Sequence, residues 1–406
     1  MITENKTYLD PNNVYLPITD EDAKIASLQV EEGDTVKVGQ IIANKYRGKK
    51  AIPVISTVSG EVKGVEQRVN RYGLFVDHVI IENDGKNTLE SFDTYDDEVP
   101  TQVIRNQLLR LGIHQVTVDG LYTNISFEQP INHLMIDAVY TNEPFISLDY
   151  DSLVEEADEI TEGIVLLAKA CKAKTVTVLV DKYMNQEALD ELGKSISDTI
   201  IELDVVNSKK MNGADYKVAR KLLGRRPSIN LLDDGIMFTS VFTAKSVYQA
   251  IHQGLPLTTR KVAITGDAFI TNALYNVRIG TLFTDLVEDL GGYNDTEALS
   301  CHIGNFLSGN QAESDAFSID ATINSIDVSR YRKVEEDVCI KCGDCNDVCP
   351  VDILPQNIMD AEIRSVGERI VELHTDDCIE CGLCTFVCPS KINVLEWVRR
   401  AKRRVG

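Results

Sequence analysis

Two stretches decide the reading of this chain. They are Cys339-Ile340-Lys341-Cys342-Gly343-Asp344-Cys345-Asn346-Asp347-Val348-Cys349-Pro350 and Cys378-Ile379-Glu380-Cys381-Gly382-Leu383-Cys384-Thr385-Phe386-Val387-Cys388-Pro389. Both follow C-x2-C-x2-C-x3-C-P, the spacing of bacterial dicluster ferredoxins. Two-residue gaps let three thiolates wrap three corners of one iron–sulfur cube, with backbone N–H groups aimed at the sulfurs. Gly343 and Gly382 suit the tight turn between them. The fourth cysteine lies too far along the chain to close the same cube, so it is expected to reach the other one, and the proline after it turns the chain. The expectation is two [4Fe-4S] clusters, one held by Cys339, Cys342, Cys345 and Cys388, the other by Cys378, Cys381, Cys384 and Cys349. Eight cysteines would also satisfy two structural zinc sites, but the doubled spacing ending in proline belongs to clusters. Ile340, Val348, Ile379, Leu383, Phe386 and Val387 are expected to shield them from water.

Outward from this region the chain is ordinary in composition. Of 406 residues, 43% are hydrophobic and 26% charged, with a net charge of -22. Such an acidic surface repels phosphate backbones, which excludes nucleic acid as a ligand class. No apolar run is long enough to span a bilayer and the first residues have no apolar core, so a cytoplasmic protein without a direct membrane span is expected. The basic run Arg399, Arg400, Lys402, Arg403 and Arg404 is read as cations favoured near a helix C-terminus, or as a docking patch for an acidic carrier or a membrane complex. Ten cysteines, eight of them between 339 and 388, point to metal rather than disulfides. Cys171 sits on an apolar helical stripe as a core residue, and Cys301 has no clear context.

The fold expected is mixed α/β plus β, in four parts. Residues 1–95 show short strands and turns (Gly33-Asp34, Val58-Ser59-Gly60, a hairpin-type signal at Asn83-Asp84-Gly85) and are expected to form a barrel-sandwich module of biotinyl or lipoyl type. Residues 100–260 alternate between helix and strand. Leu153, Ala157, Ile160, Ile164, Leu167 and Cys171 share one helical face, followed by a strand at 175–180, a helix near 186–196, a strand at 199–206, and a strand at Gly235–Phe238 leading to a helix near Thr243 as N-cap. This is the pattern of a parallel sheet covered by helices. Residues 261–310 read as strand, strand, then a helix capped by Thr281 and ending at Gly291-Gly292, which suits a β-grasp module. Residues 311–333 read as a polar linker, and 330–406 as the dicluster ferredoxin-like α domain.

Several segments, taken in order, resemble the RnfC family, the peripheral subunit of the Rnf ferredoxin:NAD oxidoreductase, whose core is similar to the NADH-oxidising flavoprotein of respiratory complex I. They are Gly33–Gln40, Val58–Val62, Asn142-Glu143-Pro144-Phe145, Ala157–Ile160, Gly254–Arg260, Val277–Thr281 and the cysteine region. The resemblance implies a soluble-ligand-binding β-grasp region, electron transfer with a protein redox partner (membrane Rnf-type subunits, or a soluble reductase, ferredoxin or flavoprotein), and an FMN site. The chain departs from the family at that site. The glycine-rich loop reads Gly112-Ile113-His114-Gln115-Val116-Thr117-Val118-Asp119-Gly120-Leu121-Tyr122, Asn-Asn-Val-x-Thr reads Thr239-Ser240-Val241-Phe242-Thr243, and Glu-Cys-Glu-Pro reads Thr141-Asn142-Glu143-Pro144. Glu143 and Thr243 are the remnants of a flavin site. His114 is read as a loop histidine. The leading expectation is an RnfC-like conduit with the scaffold kept and dinucleotide chemistry in question. The alternatives are an FMN-containing NADH:ferredoxin oxidoreductase subunit of an Rnf-type complex and a non-catalytic scaffold with structural clusters. If the chain is catalytic, it is an oxidoreductase or translocase subunit.

Overall fold

The computed structural model describes residues 4–405 apart from 21–22, 97, 114–129, 140–154, 183, 185, 198, 208–213, 295–297, 305–306, 308 and 332–333. The first part is a pair of small sheets. β2 (Asn13–Pro17), β4 (Thr35–Val36), β7 (Gly60–Val69) and β8 (Phe75–Asn83) form one in the order β2-β8-β7-β4. β3 (Ile25–Leu28), β5 (Ile41–Arg47) and β6 (Lys50–Ile55) form the other. Alternation along β2 turns Val14 and Leu16 inward, onto Ile42, Val62, Val79 and Ile81 from both sheets. The Asn83-Asp84-Gly85 signal is a turn in which the Gly85 N–H donates to Asn83 Oδ1, but it joins no paired strands. The hairpin of this module is instead β7–β8, closed around Asn70, whose side chain accepts from Tyr72 and Leu74. An Asx side chain can replace a turn glycine in this way, which is why the dipeptide signal pointed elsewhere.

One strand leaves this part. β1 (Glu4–Tyr8) pairs in parallel with β14 (Ala273–Arg278), far along the chain. Without it β14 would be a bare sheet edge, which proteins avoid. β1 thus extends a six-stranded sheet in the order β1-β14-β13-β17-β15-β16, with β13 (Thr259–Thr265), β15 (Leu299–Ile303), β16 (Asn310–Ala312) and β17 (Ser325–Arg330). Within it the hairpin β13–β14 is antiparallel and β17 lies parallel to β13 at the centre. The stretch 311–333, expected as a linker, therefore holds a central strand. Its polar look comes from turn residues around Asp320, while Ile319, Ile323, Ile326 and Val328 are buried in the core of the sheet. α6 (Phe283–Asp289) covers that core, and its N-cap is Leu282 rather than Thr281.

The middle part is a four-stranded, fully parallel sheet in the order β11-β10-β9-β12, built from β9 (His133–Asp137), β10 (Thr175–Asp181), β11 (Ile201–Val206) and β12 (Ile236–Ser240). α1 (Thr101–Arg110), α2 (Ala157–Cys171), α3 (Gln186–Ser195) and α5 (Val241–His252) cover one face; α4 (Ala214–Leu223) covers the other. Cys171 is buried in the first of these cores and Cys301 in the six-stranded sheet, and burial pushes each thiol up to about 12, which leaves them inert. The N-cap of α5 is Ser240, whose Oγ accepts from the Thr243 N–H at 3.2 Å, so Thr243 stands three residues inside the helix.

α2 and α5 touch at Gly163, where an added Cβ would stand 1.9 Å from the Ala244 carbonyl oxygen. Gly163→Ala is expected to force the two helices apart and to lower stability by about 1–3 kcal/mol. Thermal denaturation checks this, and an unchanged midpoint would contradict the close approach.

Candidate metal centre

The cysteine region folds as two near-copies. Each motif has a left-handed residue before its second cysteine (Lys341, φ +57°; Glu380, φ +55°) and a left-handed glycine after it (Gly343, +90°; Gly382, +77°). Each has a third such residue three positions beyond its last cysteine (Asp352, +57°; Lys391, +55°). Side chains other than glycine hold this conformation at a cost of about 1–2 kcal/mol each, so surrounding structure must impose it. Each glycine starts a short helix, α7 (Asp344–Asp347) or α10 (Leu383–Phe386), and each motif then leads into a longer one, α8 (Pro355–Ile363) or α11 (Val394–Val405). α9 (Gly367–Glu372) lies between the copies in sequence.

Two cavities of similar size result. Cys339, Cys342, Cys345 and Cys388 line the first; Cys378, Cys381, Cys384 and Cys349 line the second. Each cavity takes three cysteines from one motif and its fourth from the other. Among the described residues no three Cys, His, Asp or Glu side chains gather tightly enough to hold one metal ion. Four cysteines per cavity, in the doubled spacing that ends in proline, suit a [4Fe-4S] cluster.

The two cavities differ in exposure. Around the first, here the outer cavity, Cys342 is exposed, Ile340 is 68% exposed and Val338 87%. The inner cavity has no exposed cysteine, and Leu383 is buried beside it. Ile340 lines the outer cavity although 68% exposed, as its apolar character led one to expect, whereas Phe386 is 62% exposed and is not part of the lining of either cavity. Phe386 ends the short helix α10, whose buried residues are Leu383 and Cys384. Burial raises the Cys378 thiol to about 12 and pushes Cys381, Cys384, Cys345 and Cys349 up as well, with backbone N–H groups of Val351, Ile353 and Asp352 working the other way at Cys349. Metal inverts this logic by its own charge, deprotonating the thiols it binds.

The inner cavity faces the rest of the protein. Tyr216 of α4 is buried in the core of the cluster region, and its hydroxyl donates to the Pro227 carbonyl. Two ion pairs cross the same seam, Arg220–Asp352 at 2.8 Å and Arg226–Asp377 at 2.9 Å. The basic run at the end of α11 is committed internally. Arg399 and Lys402 pair with Glu380, Arg400 and Arg403 with Glu396, and Arg404 with the buried Glu362. The five cations share three carboxylates, and the Arg400 and Arg403 side chains remain exposed.

The flavin expectation falls on the switch point of the parallel sheet, between β9 and β12, where ligands of such folds bind. Glu143 and most of the loop from Gly112 to Tyr122, His114 included, lie outside the described residues. Thr243 is fully buried, Ser240 serves as a helix cap, and the buried Asp137, the strand partner of Ser240, accepts from the Val139 N–H at 2.8 Å. The buried Thr239 hydroxyl has no partner among the described residues, but one hydroxyl does not make an anion site.

Comparison with known proteins places these features. The description "RnfC Barrel sandwich hybrid domain" matches residues 3–86, and "4Fe-4S dicluster domain" matches residues 330–392. The chain is 28% identical over 407 residues to a subunit of the Na(+)-translocating ferredoxin:NAD(+) oxidoreductase complex of Acetobacterium woodii, covering 97% of this chain and 91% of that one. It is 24% identical to the counterpart in the proton-translocating ferredoxin:NAD(+) oxidoreductase complex of Clostridium ljungdahlii, covering 85% and 77%. Its likeness to the corresponding subunit of the ion-translocating oxidoreductase complex of Haemophilus influenzae is 26% identity, and it spans 54% of that longer chain. A crystal structure of NAD+-reducing [NiFe]-hydrogenase aligns at 13% identity with a TM-score of 0.47, over 76% of this chain and 63% of that one, too loose a likeness to carry weight.

An added Cβ at Gly382 would stand 2.0 Å from the Leu307 carbonyl oxygen, whereas at Gly343 it meets nothing within 4 Å. Both alanine variants strain a left-handed turn, at about 1–2 kcal/mol. Gly382→Ala should cost clearly more, because it also drives the cluster region off the six-stranded sheet. Parallel thermal denaturation of the two variants decides it, and equal losses would contradict the Leu307 contact.

Proposed function

We propose, from a chain that is RnfC-like through its N-terminal barrel-sandwich domain and its C-terminal dicluster domain, that it is the electron-transfer subunit of an Rnf-type oxidoreductase complex. A [4Fe-4S] cluster supplies reversible one-electron storage. In this reading Cys339, Cys342, Cys345 and Cys388 hold one cluster in the outer cavity, and Cys378, Cys381, Cys384 and Cys349 hold the other in the inner cavity. The observation that carries it is the composition of the two cavities, each lined by four cysteines drawn from both motifs.

The chain's own groups suit that task. The outer cavity meets solvent at Cys342, with Val338 and Ile340 exposed beside it, and a protein redox partner would dock there. The inner cavity lies toward the parallel-sheet part, with the buried Tyr216 and the half-exposed Arg220–Asp352 and Arg226–Asp377 pairs at the seam. The middle part is read as a flavoprotein-like core. The sheet formed by β13 to β17 is read as a β-grasp module, supported by its strand order, second-first-fifth-third-fourth, with first and fifth parallel. No helix among the described residues is long and apolar enough to cross a membrane. We assign membrane attachment and any ion movement to partner subunits, with this chain peripheral on the cytoplasmic face.

Two experiments test the reading. Anaerobically purified protein should be reduced by a low-potential ferredoxin without added flavin or nicotinamide; reduction by NADH alone, with FMN extractable from the protein, would favour the flavoenzyme alternative instead. For ligation, Cys349→Ser should damage the cluster whose other ligands are Cys378, Cys381 and Cys384, and Cys388→Ser the cluster built mainly by the first motif. Electron paramagnetic resonance of each variant reads this out; damage confined to each cysteine's own motif would refute the exchange.

A further inference from the structure

Equivalent positions of the two motifs are offset by 39 (Cys339 and Cys378), so most residues beside one cavity have a counterpart beside the other. Charge breaks the symmetry. At the inner cavity Lys402 Nζ donates to the Cys378 carbonyl oxygen at 3.0 Å and to Glu380 Oε1 at 3.3 Å, and Arg399 Nε donates to Glu380 Oε2 at 2.8 Å. The counterparts of Lys402, Arg399 and Glu380 are Ile363, Asp360 and Lys341. Ile363 is 55% exposed and uncharged, and Asp360 accepts from the Gln356 amide at 3.1 Å. Lys391 stands by the outer motif where Asp352 stands by the inner one, but Lys341 and Lys391 are both exposed and screened by water. Asp352 is balanced by Arg220, and Lys217 of α4 adds its field at Cys381. The partly buried cations therefore gather at the inner cavity.

We propose that Lys402, seconded by Arg399, raises the reduction potential of the inner cluster and so draws the electron from the exposed cluster inward. The inference rests on the dicluster reading above. Reduction adds one negative charge inside the inner cavity. Burial alone disfavours that charge, as it disfavours any ion taken from water. A cation fixed against the backbone of a ligating cysteine opposes the penalty, and it does so more strongly than a solvated one because the surroundings screen it less. Arg399 cancels much of Glu380, which leaves the Lys402 charge to act on the cluster. The one-electron donor is a low-potential protein carrier at the outer cavity.

The test is a redox titration of the full-length anaerobic protein followed by electron paramagnetic resonance, with the outer signal identified as the one that Cys342→Ser perturbs. Lys402→Met should lower the potential of the inner cluster and leave the outer one unmoved. Lys402→Arg should keep the wild-type potential, because the charge and not the lysine is required. Ile363→Lys, which places a cation at the counterpart position, should raise the outer cluster. An unchanged inner potential in Lys402→Met overturns the proposal, as does an equal shift of both clusters. Should Lys402→Met fail to assemble its inner cluster, Ile363→Lys decides, and an unmoved outer potential overturns the proposal. Failure of the dicluster reading looks different: the unaltered protein would carry no iron and give no signal to titrate.

Discussion

The exchange of one cysteine between two sequence motifs is the constraint on which the C-terminal region depends. Cys349 leaves the first motif to line the cavity of the second, and Cys388 does the reverse. Neither cavity can close unless both motifs are folded, so the two halves form one cooperative unit. The hydrophobic core there is modest, gathered around Ile358, Ile370, Val398 and Ala401, with the cysteines as part of its wall. In a region built this way the free energy of ligand binding at the cavities is folding free energy. The left-handed residues at Lys341, Glu380, Asp352 and Lys391 carry strain that such a unit can hold and a looser one could not.

Among the described residues, that unit is joined to the rest of the chain by contacts from two parts. Tyr216, Arg220 and Arg226 reach it from the parallel-sheet part, and Leu307 meets Gly382 from the six-stranded sheet. Individually the ion pairs are worth little, about 0–1 kcal/mol at such exposure. The buried Tyr216 and the backbone contact at Gly382 fix the orientation better, because neither tolerates added volume. The consequence is an outer cavity at the surface and an inner one against protein. The same asymmetry runs through the charges, with α11 ending in cations matched to Glu380, Glu396 and Glu362 and α8 lacking them.

Much of this was legible in the sequence where the signal is local. Cysteine spacing set the grouping expected for the ligands, and strand and helical periodicity marked β10, α3 and β11 within a residue or two and the face of α2 from Ala157 to Cys171, Leu153 lying outside the described residues. Pairing between distant segments was not legible. β1 looks like the start of the first module, yet it closes the edge of a sheet formed some 270 residues later, a partnership no short-range pattern encodes. β17 was hidden because the turns around Asp320 made its neighbourhood look polar, although Ile326 and Val328 alternate inward. Phe386 shows a different limit: apolar character says what a side chain prefers, while its place on α10, whose buried residues are Leu383 and Cys384, decides where it points. The Lys402–Cys378 contact leaves a trace only in hindsight, as a cation three residues after another on a helix whose counterpart has none.

The measurement that bears most directly on the central claim is iron and acid-labile sulfide analysis of the anaerobically purified chain, paired with its electron paramagnetic resonance spectrum after dithionite reduction. Two cubes held by eight thiolates predict about eight irons and about eight sulfides per chain, with the reduced spectrum showing two interacting centres. A colourless protein, or one that carries zinc in place of iron, would contradict the account.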